Sequence, residues 1–403
     1  MQLVGGIDWA SEEHRLCLVD EHGQRQLDRR VSHDEQAISA LCRLLRDRNV
    51  ERVALERPDG VLVDRLLDAG IAVVAVHPNQ VKAARERYQI ARGKSDGFDA
   101  YVLAELARTD MHRLRLLVPD HDQTRALRTL VRTREELVGQ RVALANQLRA
   151  QLDAFWPGAA KIFSDIDSPI ALAFLERYPS PLDARGLGER RLASFLARNQ
   201  YCGRRSPAEL LARLRTAPNG RSGELELEAR RAAVLALVAA LRPLVEQIGL
   251  LTSQIGGALR AHTDGETFLS LFRDPKAVVT AAALLAEIGD CRNRYPNPDA
   301  LAADAGMSAV AVESGKHRSA SFRRACDKRL RNAVATLADS TRHRHPWAND
   351  IYARARARGC DHPHAIRILG RAWLRVIWRI WQYQTTYDPT RHRNLQRLLN
   401  QRG

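Results

Sequence analysis

Within its first 90 residues this 403-residue chain switches repeatedly between two apolar periods, and that alternation limits the fold more than any single motif does. Residues 3–10, 14–20 and 24–32 carry short strand-like runs separated by Ser11-Glu12-Glu13 and Glu21-His22-Gly23. A helical period follows over 34–48, with Ile38, Leu41, Leu44 and Leu45 on one face. Then come a strand over 51–56, a helix over 58–69 ending at Gly70, a strand over 71–76, and a helix over 78–88 opened by Pro78. The order β-β-β-α-β-α-β-α predicts three antiparallel strands followed by βα units. That describes a ribonuclease-H-like sheet better than a doubly wound one.

The stretch 90–106, IARGKSDGFDAYVLAEL, places the chemistry on this frame. Ser95 reads as a helix N-cap, Asp96 and Asp99 fall in the first turn, and Val102, Leu103 and Leu106 form the apolar face behind them. Carboxylates at i and i+3 of a helix point the same way. Asp8, in VGGIDWA, and Glu56, ending RVALE, close two of the strand-like runs. If those runs are neighbours in one sheet, the four acids meet at its edge and suit a hard divalent cation such as Mg²⁺ or Mn²⁺. Taken singly, each acid is as well explained as a cap or a surface charge.

Charge is unevenly distributed. Residues 1–110 hold 16 basic and 19 acidic side chains, a net −3, which leaves +19 of the whole-chain +16 on residues 111–403. Of the 63 basic residues 57 are Arg, whose planar fork suits phosphate, and a pI near 10.2 points to a nucleic-acid partner. The 45% apolar content supports a real core. No apolar run is expected to span a membrane, and a cytoplasmic protein is expected. Six scattered cysteines without a CxxC pair read as reduced and structural.

From about His121 the period becomes purely helical. Leu127, Leu130, Leu137, Leu144, Leu148 and Leu152 mark one long amphipathic helix, and 223–262 marks a second, broken or kinked near Pro243. Shorter helices are expected at 169–177, 188–198 and 206–216. The last third predicts helices over 277–288 and 297–305, a loop over 307–316, and a basic helix over 322–341. Between Gly315 and His345 there are nine Arg or Lys against two Asp. Lys316, Arg318, Arg323, Arg324, Lys328, Arg329 and Arg331 are the candidate nucleic-acid contacts. Trp373, Trp378 and Trp381 share a helix with an aliphatic face and read as core, and His343, His345, His362 and His364 lack metal-ligand spacing. The expected division is 1–118, an α/β domain; 119–262, a helical coiled-coil arm; and 263–403, a mostly helical domain.

Several stretches resemble the DEDD transposases of the insertion-sequence-110 type, the 110/116/902 group. They are GIDWA with His14, ALERPDG, HPNQVKAARERY, KSDGFDAYVLAEL, AEIGDCRNRY, ESGK and RRACDKRLRNAV, in register from about Gly6 to Tyr387. The resemblance implies a RuvC-like N-terminal domain whose tetrad is Asp8, Glu56, Asp96 and Asp99. It also implies a nucleophilic serine in an SG motif, here Ser314. It further implies Mg²⁺-dependent recombination of donor and target DNA, a structured bridge RNA as guide, and assembly as a homo-oligomer, dimer or tetramer. The family's Pro-Gly-x-Gly hairpin is replaced here by Arg273-Asp274-Pro275-Lys276-Ala277. Two other readings fit the same basic C-terminal third: a metal-dependent junction nuclease with water as nucleophile, and a non-catalytic nucleic-acid-binding relic.

Overall fold

The computed structural model describes residues 2–57, 59–88, 95–114, 116–218, 220–272, 274, 277–314 and 317–392. The chain forms two units, Met1–Pro119 and Asp120–Gly403.

The first unit is a five-stranded sheet covered on both faces. Its strands are β1 (Leu3–Asp8), β2 (Glu13–Val19), β3 (Arg25–Ser32), β4 (Val50–Leu55) and β5 (Val73–Ala75), in the order β3-β2-β1-β4-β5. β1 pairs antiparallel with β2 and parallel with β4, so the expected meander followed by βα units is what forms. Helices α1 (Glu35–Asp47) and α2 (Val61–Asp68) pack on one face against Leu3, Ile7, Val53 and Leu55. Helices α3 (Pro78–Tyr88) and α4 (Asp96–Thr109) pack on the other against Val4, Cys17, Ala54 and Val74. Alternate residues of a strand face opposite sides. The period therefore assigns Val4, Gly6 and Asp8 of β1, and Ala54 and the following Glu56, to the α4 side.

The second unit is mostly helical. Its spine is a pair of long helices, α5 (Asp122–Phe155) and α10 (Glu224–Ala261), each on the order of 50 Å at 1.5 Å per residue. Leu127 and Val131 share a core with Ile255 and Leu259, whereas Leu148 and Leu152 share one with Val234 and Val238, so the two helices run antiparallel. Between them lie α6 (Pro157–Lys161), α7 (Pro169–Arg177), α8 (Glu189–Arg198) and α9 (Pro207–Thr216). α10 continues through Pro243, whose side is exposed, because packing along α5 outweighs the lost backbone hydrogen bond. By length and composition α10 is apolar enough to cross a membrane, against the sequence expectation; its inward face is instead buried on α5 and α7.

The remaining elements are α11 (Gly265–Leu269), α12 (Val278–Ile288), α13 (Pro298–Asp304), β6 (Val310–Ser314), β7 (His317–Ser321), α14 (Lys328–Arg344), α15 (Pro346–Ala357) and α16 (His362–Gln382). Trp373 and Trp381 of α16 are fully buried and Trp378 donates to the Tyr295 carbonyl, which places all three in the core as expected. Two elements differ from expectation. The supposed loop over 307–316 contains β6, which pairs antiparallel with β7. The basic helix starts at Lys328, not at 322, because Asp327 caps it by accepting from the Arg329 and Leu330 amides at 2.8 and 3.0 Å. All six cysteines are free thiols.

Candidate active site: a carboxylate tetrad on β1, β4 and α4

Asp8 ends β1 and Glu56 follows the last residue of β4, and the register Ile7↔Leu55 sets them side by side at the carboxyl ends of adjacent parallel strands. Helix α4 brings the other two. Ser95 caps it, its side chain accepting from the Phe98 amide at 3.2 Å, and Asp96 and Asp99 occupy the first turn. The helix lies on β1 at Gly6, where an added Cβ would stand 2.1 Å from the Ala100 carbonyl oxygen and 2.3 Å from the Ala104 nitrogen. Only a residue without a side chain permits that approach. Gly6 is thus the reason the α4 carboxylates reach Asp8, two residues further along the strand.

The electrostatics record the convergence. The Asp8 carboxyl is pushed up to about 6 from its ordinary 3.8, first by burial and then by the negative charges of Asp99, Asp96 and Glu56, with Arg85 opposing them. Next to it the β1–β2 turn is held by His14, whose Nδ1 accepts from the Ala10 amide at 3.3 Å. Burial, with the neighbouring His33, depresses His14 to about 4, so it stays neutral at pH 7.

Arg85 of α3 is the member the sequence reading missed. Its Nη2 donates to Asp99 Oδ2 at 2.7 Å and lies 3.6 Å from Glu56 Oε1. Its Nε is 2.6 Å from Asp99 Oδ1, yet off the hydrogen-bond direction, so this buried oxygen has no hydrogen-bond donor. Asp99 itself is 1% exposed. A guanidinium thus offsets part of the negative charge that the four acids bring. Among the described residues no three His, Cys, Asp or Glu stand together as a finished metal cage. The donor set nevertheless fits a hard divalent cation: carboxylate oxygens only, one of them buried without a donor, and a raised Asp8 that a cation would bring down.

The other candidates lie in the second unit. Ser314 ends β6, in register with His317; its side chain and that of Arg318 lie outside the described residues, as does Lys316. Arg273, Pro275 and Lys276 of the departed hairpin also lie outside them; the neighbouring Asp274 accepts from Arg344 at 3.2 Å. Arg324 and Lys328 are exposed. Arg329 is 2.8 Å from Glu136 and 3.4 Å from Glu135 of α5. Arg331 donates to the Arg323 carbonyl at 2.8 Å and covers the Phe322 ring. Sequence spacing could not show that these two are engaged within the fold.

A family model described as a DEDD transposase of the IS110 kind matches residues 5–157, the span that holds all four acids. A second, of the transposase IS116/IS110/IS902 family, matches residues 277–353, which include Ser314 and α14. A mini-circle transposase candidate for IS117 from Streptomyces coelicolor is 30% identical over 399 residues, covering 96% of this chain and 95% of that protein. The chain belongs to the IS110/IS116/IS902 family of transposases. Two uncharacterized proteins are further relatives. One, from insertion element IS900 of Mycobacterium paratuberculosis, is 27% identical over 95% of this chain and 96% of its own length. The other, from IS110 of Streptomyces coelicolor, is 26% identical over 95% of each chain. The transposase is therefore an insertion-sequence enzyme acting on DNA.

Proposed function

We propose that this transposase cuts and rejoins DNA by metal-dependent transesterification, with Asp8, Glu56, Asp96 and Asp99 as the metal-holding group and Ser314 as the nucleophile. The observation that carries the metal half is the Asp8 carboxyl, raised to about 6 first by burial and then by the charges of Asp99, Asp96 and Glu56. Mg²⁺ or Mn²⁺, when bound, would supply Lewis-acid polarisation of phosphate oxygens. The chain's own residues orient it: Asp8 and Glu56 from strand ends, and Asp96 and Asp99 from a capped first turn whose axis is fixed at Gly6. The strand order β3-β2-β1-β4-β5 supports a ribonuclease-H-like, RuvC-like reading of this unit.

In the chemical step the Ser314 hydroxyl loses its proton and its oxygen bonds to phosphorus, while the bond from phosphorus to one sugar oxygen breaks and that oxygen takes a proton. The phosphodiester energy is kept in the serine ester and spent on rejoining. Ser314 stands at the end of β6, Lys316 follows it closely in the sequence, and Arg323 and Arg324 follow the hairpin, which suits stabilisation of developing negative charge. Donor and target DNA bind the basic second unit. A structured guide RNA belongs to the reading on the resemblance alone, supported by the +19 carried by residues 111–403. Homo-oligomer assembly through the α5–α10 arm is supported by exposed Val142, Leu225 and Leu250 on that pair.

The test is a denaturing gel of the transposase incubated with nicked DNA and Mg²⁺. Asp8→Asn is expected to abolish cleavage while DNA binding persists. Ser314→Ala is expected to lose the covalent protein–DNA adduct, with Ser308→Ala, Ser319→Ala and Ser321→Ala retaining it. Cleavage without any adduct in the wild type would instead establish water as the nucleophile. Undiminished cleavage by Asp8→Asn would remove the tetrad from the chemistry.

A further inference from the structure

Beside the base of the β6–β7 hairpin, α16 walls a cleft of about 490 Å³, within the size range of ligand sites. Arg367, Arg371 and Arg375, spaced four apart on α16, share its lining with His364 and Arg323. No acidic side chain is among the described residues that line it. Asp299, which is exposed, reaches the row from outside, 2.9 Å from Arg371 and 3.7 Å from Arg375.

Three buried donor atoms in this lining have no hydrogen-bond partner: Ser308 Oγ, Arg323 Nε and Arg371 Nε. Each of these atoms is covered by the wall. The polar face a ligand meets is therefore the row of Arg367, Arg371 and Arg375 with Arg323, which suits an anion with several oxygens. The lining also has an apolar part. Met307, Ile351 and Ile368 form part of it, and Phe322 carries the Arg331 and Arg367 guanidiniums 4.5 and 4.8 Å from its ring centre.

We propose that this cleft binds one nucleotide unit of an unpaired nucleic-acid strand, its phosphate on Arg323, Arg367 and Arg371 and its base against Met307, Ile351 and Ile368. A duplex keeps its bases stacked inside and offers only backbone to such a recess, whereas an unpaired strand can turn a base into it. The cleft sits at the base of the β6–β7 hairpin, whose first strand carries Ser314 at its far end. The inference rests on the reading of the chain as a nucleic-acid-acting transposase, and it adds a strand-selective subsite that the tetrad and the serine do not include.

The test uses the full chain and fluorescence anisotropy with three labelled probes of one length: oligothymidylate, oligouridylate, and a DNA duplex. Arg367→Gln/Arg371→Gln is expected to weaken single-strand binding about tenfold and to lower its salt slope by about 0.7 per lost phosphate contact, with duplex affinity within about twofold. Ala309→Trp, an exposed lining position, fills the recess without removing charge and is expected to give the same selective loss. Loss on oligothymidylate alone identifies DNA as the occupant, and loss on oligouridylate alone identifies RNA. Unchanged single-strand affinity in both variants, or an equal loss on duplex, overturns the proposal. A wild-type chain that binds none of the three probes overturns the parent reading instead, which keeps the two failures distinct.

Discussion

Replacing Arg85 by methionine keeps most of the side chain's volume and removes the one cation that touches Asp99 among the described residues. Asp99 is 1% exposed and receives the guanidinium at 2.6 and 2.7 Å. Taking one partner from a buried ion pair costs about 3–5 kcal/mol, because a desolvated charge is left behind. Arg85 is itself 30% exposed, so water can enter the vacated space, and we expect about 2–3 kcal/mol in the absence of divalent ions. The sign of the metal effect follows. In the wild type a divalent ion must displace Arg85 from Asp99, whereas in Arg85→Met it meets four unpaired acids. Mg²⁺ or Mn²⁺ should therefore stabilise the variant by at least about 1 kcal/mol more than the wild type, through preferential binding to the folded state. The assay is native-state hydrogen exchange of β1 and α4 amides in EDTA and in excess Mg²⁺, which reports on the first unit alone. If the variant matches the wild type in EDTA and gains equally from metal, Arg85 is only a surface arginine and the account of the site's charge balance fails.

Two further outcomes test the scaffold. Gly6→Ala drives a methyl into α4 backbone and should destabilise the first unit by about 3 kcal/mol or more, whereas Gly5→Ala meets only the Leu18 and Val53 side chains at 3.1 and 3.2 Å and should cost less; thermal melts giving the reverse order would contradict the packing argument. In the second unit burial acts to raise the Asp120 carboxyl, but Arg294 and Arg128 overcome it and hold the group at about 2 against an ordinary 3.8. A depressed carboxyl contributes stability that is present above pH 4 and lost as pH falls from about 4 to 2, here on the order of 2 kcal/mol. Urea midpoints should fall through that window and do so less steeply in Asp120→Asn.

The sheet was legible because its strands and helices differ in period, and the two faces of β1 could be assigned by counting residues alternately from Val4 to Asp8. The α4 cap was legible for a similar reason, since Ser95 with an acid in the following turn is a local signal. The β6–β7 hairpin was not. Val310 and Val312 alternate, but His317, Arg318, Ser319, Ala320 and Ser321 give no apolar face, and Val310 itself is 36% exposed. Period-based reasoning detects a strand by what it buries, and the described side chains of this pair, Val310, Ala311, Ser319, Ala320 and Ser321, are exposed. The start of α14 was misplaced by weighting the basic run over Asp327, the better cap. Arg85 was illegible in a different sense. It sits in an ordinary helical stretch, and its role exists only because α3, β4 and α4 meet.

In the proposed function the charge distribution separates general attraction for polyanions from the holding of metal. A tetrad of carboxylates repels phosphate until a cation neutralises it, and Arg85 offsets only one of its four negative charges. The first unit, at −1 over residues 1–119, therefore adds nothing to a general attraction for polyanions. The +17 over residues 120–403 would supply that attraction, and would do so without metal. DNA association should then be steeply salt-dependent and indifferent to EDTA, while cleavage should require the divalent ion. Basic side chains spread along the second unit can change one at a time with modest effect, whereas Asp8, Glu56, Asp96 and Asp99 act as a set. Their positions depend on β1, β4 and α4 together, and on the absent side chain of Gly6 that lets the helix reach the strand.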